Sequence, residues 1–285
     1  MCIRDRLQIN CPDQRGIIAQ FTAILYDHGA NVLNLEQHVE PDEKLFFMRI
    51  HADLSNMDIS ENALREILLA LVKKTNANIQ FYYPENLLRM AIFVTKESAP
   101  LYDLLIKHQS GELSCKIPCI ISNHEHLIEI ARQFNIPFFY LPVSPETKVE
   151  QEKEIRELME KEKIDLLVLA RYMQILSSEF VADYQGRIIN IHHGFLPAFK
   201  GNHPYSKAWE RGVKMIGATA HYVTADLDEG PIIEQDVVSV NHQHSVQEMV
   251  QAGRDIERRV LTSAVKVHLE HRIILDGRRT IIFHS

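Results

Sequence analysis

Glycine and proline are sparse, eleven of each in 285 residues, and tryptophan occurs once. Collagen-like and Pro/Gly-rich disordered chains need several times more of both, so those classes are excluded. The cysteines, Cys2, Cys11, Cys115 and Cys119, form no CxxC pair. They are too few for a disulfide scaffold and read as reduced thiols of a cytoplasmic protein. No run approaches the roughly 18 apolar residues of a membrane span. The opening MCIRDR precedes no apolar h-region, so no secretion signal is expected, and residues 1–6 carry no part of the reading. Basic charge is also short. Lys+Arg of 31 against Asp+Glu of 38 leaves −7, which argues against a nucleic-acid binder, since phosphate neutralisation supplies most of such affinity. Neither GxGxxG nor GxxxxGK[ST] occurs, and the stretch from Thr95 to Pro100 has no glycine. A phosphate cradle there is therefore not expected.

What is present divides into two patterns, as the length predicts at roughly 150 residues per domain. Residues 7–83 read as βαββαβ. Apolar residues Ile17, Ile18, Phe21, Ile24 and Leu25 recur at helical spacing up to Gly29. Strands are expected over 31–39 and 45–52, a helix after the N-cap Ser60, and a strand over 79–83. That order is a ferredoxin-like unit with helices on one face of an antiparallel sheet. Pro84 to Asn86 reads as a short hinge. Residues 88–285 then alternate apolar strands (90–95, 117–122, 137–141, 166–170, 188–192) with helical segments such as 148–163. Continuous runs such as LLVLA suit strands buried on both faces. A doubly wound, mostly parallel α/β domain is predicted, with sites at the carboxyl ends of its strands. Later strands over 218–223 and 232–238, a helix over 245–270 and a hairpin around Asp276-Gly277 complete it.

The densest chemistry lies in RIINIHHGFLPAFKGNHPY, residues 187–205. Alternation along a strand puts Asn190 and His192 on one face. An amide donor and an imidazole aimed at one point suit an oxyanion, although both residue types also satisfy loop carbonyls at strand ends. The stretch 218–237, ATAHYVTADLDEGPIIEQDV, adds an acidic loop with Asp226, Asp228 and Glu229. A carboxylate there can orient His192 and hold a water; taken alone, it reads as an acidic turn. Zinc is the competing chemistry for His192, His193, His203 and His221, but the spacings match no compact ligand set, and no metal is expected. His221 reads as a support behind the site.

Together these stretches, with DLLVLARYMQILS and RGVKMIGATAHYVT, resemble the folate-dependent formyltransferase fold. With NCPDQRGII, HGANVLNLEQH and FFMRI, which resemble an ACT-type regulatory domain, the chain is similar over 7–285 to the formyltetrahydrofolate deformylases. The resemblance implies a catalytic set of Asn190, His192 and Asp228. It implies folate binding by the loop Arg171, Tyr172, Met173, Gln174, Ile175 and Leu176, by the strand end Val223-Thr224, and near His221. The implied reaction is hydrolysis of 10-formyltetrahydrofolate to tetrahydrofolate and formate without a cofactor. The implied partners are the folate, amino-acid effectors such as methionine or glycine at Asp13, Gly16 and Asn31, and further copies of the chain. Gly194, Asn202-His203 and Ala99-Pro100 depart from the family's usual residues. The glycine-free turn and the chain length favour water over a phosphorylated or tRNA acceptor. Two rivals remain: formyl transfer to an amine, and a non-catalytic folate-binding sensor.

Overall fold

The computed structural model describes residues 4–83, 85–197 and 204–284. Pro84 of the hinge and the departing pair Asn202-His203 lie outside the described residues. The chain forms two compact units. Among the described residues, one holds those up to 86 with 271–276 and 281–284; the other holds those of 87–270 with 277–280.

The first unit runs β1 (Arg4–Pro12), α1 (Ile17–Asp27), β2 (Asn31–Glu40), β3 (Leu45–Asp53), α2 (Glu61–Thr75) and β4 (Asn78–Tyr82). Its sheet has the order β2-β3-β1-β4, antiparallel throughout. Period-2 alternation sorts its faces. Leu7, Ile9 and Cys11 of β1, with Phe46, Met48, Ile50 and Ala52 of β3, form a core with Phe21 and Leu25 of α1 and Leu64 and Leu68 of α2. Ser60 caps α2 by accepting from the Ala63 amide, as its position before the helix predicts. Strand β1 begins at Arg4, which pairs with Asp53, so 4–6 continue the sheet. Their charges hid a strand whose register is set by β3, a non-local partner.

The opposite face of this sheet takes the C-terminal segment of the chain. The Gln8 amide donates to the carbonyls of His271 and Ile273, and Arg49 Nε to that of His271. Phe47 packs on Ile274 and Phe283. The boundary 88–285 read from the sequence thus differs from the structure, because 271–276 and 281–284 belong to the first unit.

The second unit contains β5 (Arg89–Val94), α3 (Ala99–Gln109), β6 (Lys116–Ser122), α4 (Ile128–Gln133) and β7 (Phe138–Tyr140), followed by α5 (Lys148–Lys161), β8 (Leu166–Leu169), α6 (Ser178–Asp183) and β9 (Ile188–His192). It continues with α7 (Pro204–Arg211), β10 (Met215–Tyr222), β11 (Ile232–Ser239) and α8 (Val246–Leu269); β12 (Ile273–Asp276) and β13 (Arg279–Ile282) end the chain as a hairpin. Among the described residues the sheet order is β11-β10-β9-β8-β5-β6-β7. The five strands from β9 to β7 are parallel, and β10 and β11 are antiparallel additions at one edge. The strand order reverses between β5 and β8, the place where open α/β sheets bind ligands. Ile155 and Met159 of α5 and Phe180 of α6 cover one face over Phe93, Leu167 and Ile188. Helix α8 packs over β9, β10 and β11 with α3 beside it. It opens with a full capping box between Ser245 and Glu248, a motif each half of which satisfies an otherwise orphaned amide.

Candidate active site

Strand β9 carries Asn190 and His192 on one face, and β10 runs antiparallel beside it. Asn190 lies opposite His221 and His192 opposite Thr219. After β10 the chain loops through Asp228 and returns at Gly230-Pro231. The Tyr222 amide donates to the Pro231 carbonyl at 2.9 Å, which closes the base of the loop. A Cβ on Gly230 would stand 1.7 Å from the Tyr222 carbonyl oxygen, so no other residue fits that crossing. Asp228 itself holds a left-handed backbone, φ 56°, which turns its carboxylate back over the strand ends.

The result is a connected group. Asp228 Oδ2 lies 3.2 Å from His192 Nδ1, and Oδ1 lies 3.6 Å from His221 Nε2. His221 Nδ1 donates to the Tyr222 carbonyl at 2.8 Å. In neutral His221 that contact makes Nε2 an acceptor, so the group facing it across 3.3 Å is the Asn190 amide nitrogen. One Asn190 N–H is thereby committed and the amide plane fixed, leaving its second N–H for another acceptor. The hydrogen bond from His192 holds the Asp228 carboxyl well below the usual carboxylate range. The carboxylate is therefore ionised and accepts from His192 Nδ1–H. His192 Nε2 is buried without a hydrogen-bond partner among the described residues. With Nδ1–H given to Asp228, neutral His192 presents a buried Nε2 lone pair that can take a proton from water and, once protonated, donate to an oxyanion beside the fixed Asn190 amide.

The segment after β9 is held by Thr219, whose hydroxyl donates to the Gly194 carbonyl at 2.9 Å and accepts from the Leu196 amide at 3.0 Å. Gln235 of β11 donates to both the Thr219 hydroxyl and the Leu196 carbonyl at 3.0 Å. Sequence reasoning missed these two supports, because Thr and Gln at strand positions carry no distinctive signal.

The proposed folate-binding residues separate. Met173, Gln174 and Ile175 are exposed on the loop after β8, while Leu176 and Val223 half-bury against the core. Thr224 turns onto the Asp226 carbonyl at 3.1 Å. Tyr172 is placed differently from the reading: it is 2% exposed, stacks edge-on against Phe93 and receives the Gln151 amide, so it supports the loop from below. Burial pushes its hydroxyl up to about 12. Of the departures, Ala99 and Pro100 open α3, where a proline at the first turn is well tolerated. In the first unit, Gly16 precedes α1 at φ 84°, Asp13 pairs its amide with the Lys44 carbonyl, and Asn31 starts β2 exposed. Among the described residues no group of three His, Cys, Asp or Glu side chains is arranged to hold a metal.

A formyl transferase family model matches residues 88–265 and an ACT domain model residues 6–68. A formyltetrahydrofolate deformylase of Synechocystis is 47% identical over 97% of this chain and 97% of its own length. The chain belongs to the formyltetrahydrofolate deformylase family. A deformylase of Bacillus subtilis is 45% identical, covering 99% of this chain and 94% of its own. The crystal structure of a family member from Pseudomonas syringae superposes with TM-score 0.96 at 38% identity, over 100% of this chain and 95% of that one. The match along both units agrees with the joined ACT and formyltransferase-type architecture read from the sequence.

Proposed function

We propose that this chain hydrolyses 10-formyltetrahydrofolate to tetrahydrofolate and formate, with water as the acceptor. The observation that carries the mechanism is the state of His192, anchored through Nδ1 to ionised Asp228 and free at buried Nε2. Water adds to the formyl carbon as His192 Nε2 takes one of its protons, and the carbonyl electron pair moves onto oxygen. The free Asn190 N–H and His192 stabilise that oxyanion, while Asp228 positions the water and supports the imidazolium that forms. Collapse breaks the bond from carbon to the folate nitrogen, which receives the proton taken from water, and formate leaves as the anion with one oxygen from water, its remaining proton passing to solvent. The chemistry is assigned to side chains alone, with no cofactor or metal.

The exposed loop Met173 to Ile175, with Leu176, Val223 and Thr224, is proposed to hold the folate above Asn190, and Tyr172 to brace it. The first unit is proposed to bind a small amino acid, methionine or glycine, near Asp13, Gly16 and Asn31 between paired copies of the chain. Reduced Cys11, Cys115 and Cys119 fit a cytoplasmic setting, and no helix among the described residues is long and apolar enough to cross a membrane. Formate release from 10-formyltetrahydrofolate, with a chelator present and no amine, tests the central reading. Release is expected, and its loss in His192→Ala follows. Release that appears only when an amine is added would make the chain a transferase instead.

A further inference from the structure

A cavity of about 290 Å³ opens beside the reacting group, lined among others by Arg171, Met173, His193, Tyr205, Arg254 and Glu257. The His193 ring centre lies 5.4 Å from that of His192 and 6.2 Å from that of Tyr205, so the cavity begins one residue from His192. Arg171 Nε and Nη1 are buried with no hydrogen-bond partner among the described residues. The nearest carboxylate, Glu257, stands 3.5 Å from Nη1 and spends its other oxygen on the Tyr205 hydroxyl at 2.7 Å. Buried guanidinium N–H groups without acceptors are costly, and proteins rarely keep them without a ligand to complete them.

Two further local costs fall at the same spot. Arg171 adopts a left-handed backbone, φ 64°, which a non-glycine residue does at a penalty. Helix α8 carries Gly253 in its interior, against helix propensity, where a Cβ would lie 2.1 Å from the Tyr205 hydroxyl oxygen. Glycine is what lets Tyr205 reach Glu257. Among the described residues the cavity's fixed charges are two arginines against one glutamate, and Arg254 also reaches Glu97 at 3.1 Å. A guanidinium with free N–H groups suits a planar oxyanion such as a carboxylate, which it can bind through two parallel hydrogen bonds.

Resting on the hydrolysis proposed above, the reaction creates one new carboxylate beside His192. We propose that this cavity is a carboxylate subsite that receives the formate product. Arg171 is its main contact, and Glu257 is the internal competitor that keeps formate weakly held. A carboxylate from the glutamate tail of the folate shares this chemistry and is the alternative source.

Formate as an inhibitor of the reaction, and line broadening of [13C]formate by the protein without folate, read the site in two ways. Arg171→Gln is expected to raise the formate inhibition constant at least tenfold and abolish the broadening. Glu257→Gln, which removes the competing anion at equal volume, should lower that constant at least threefold. The opposite sign keeps the test valid if one variant folds poorly. Formate constants within twofold of wild type in both folded variants overturn the proposal. So does an Arg171→Gln penalty on KM that vanishes with 10-formyltetrahydropteroate, which lacks the glutamate, while formate binding stays intact. If wild type releases no formate yet Arg171 still governs the broadening, the carboxylate site stands and the hydrolytic reading falls.

Discussion

At the scale of single residues, function rests on which atoms are already partnered. Asp228 fixes one nitrogen of His192, His221 fixes one hydrogen of Asn190, and what remains free points to substrate. Asp228→Asn keeps the size but removes the charge that orients and supports the imidazole. It should lose deformylation by about 10²-fold or more, the weight of a positioned proton-transfer group, with folate binding retained in equilibrium titration. A second consequence concerns thiols. Burial pushes Cys115 and Cys119 up to about 12, so at neutral pH almost none of either is thiolate. Native protein at pH 7 should leave both unalkylated by iodoacetamide under conditions that modify them fully in urea. That Asn190 and His192 share one strand face was legible from alternation, a local signal, whereas Asp228 alone read as an acidic turn and joined them only through the family resemblance. Arg171, Tyr205 and Glu257 were not: a glutamate in a charged helix looks solvated until the tertiary fold buries it, here to 2% exposure.

At the scale of elements, the site depends on how tightly β10 and its returning loop cross. Gly230→Ala puts a methyl into the Tyr222 carbonyl, so the loop must shift and carry Asp228 with it. Displacements of about 1 Å at a reacting group can cost roughly 10²-fold in rate. Gly230→Ala should therefore lower kcat by that order, with a circular dichroism spectrum close to wild type. The strands and α8 were readable from apolar runs and their spacing. Two features were not. Residues 4–6 extend β1 only because Asp53 to His51 of β3 offer a partner edge. Tyr172 reads as a ligand contact from its loop, yet Phe93 and Gln151 hold it in the core. In both cases a partner distant in sequence decided the outcome.

At the scale of the whole molecule, each unit carries its own core, and the C-terminal segment contributes to the first. That return was illegible, because the hairpin around Gly277 carries no mark of which surface it will cover. Half-buried His268, near the end of α8, makes folding pH-dependent. Its ring accepts from the Tyr222 hydroxyl at 2.6 Å, and burial lowers it to about 4. An unfolded histidine titrates near 6.5, so between about 6.5 and 4 the unfolded chain binds the extra proton. Stability is complete above that window and falls as pH drops through it, by up to about 3 kcal/mol for this group. Urea midpoints from pH 7 to 4.5 should decline less in His268→Gln than in wild type. Equal slopes would remove His268 as the cause. For the ACT-type unit, added methionine or glycine is expected to change the rate or the sedimentation of the protein; no change in either would leave it without the proposed effector role.

The proposed mechanism requires His192 and Asp228 to act as one unit on a water at the formyl carbon. Single-turnover formate release in wild type, His192→Ala, Asp228→Asn and the double variant measures that directly. Groups that act together lose their effect together, so the double variant should be no slower than the worse single variant by more than about fivefold. Losses that multiply across the two sites would show that the pair works independently and would contradict the mechanism.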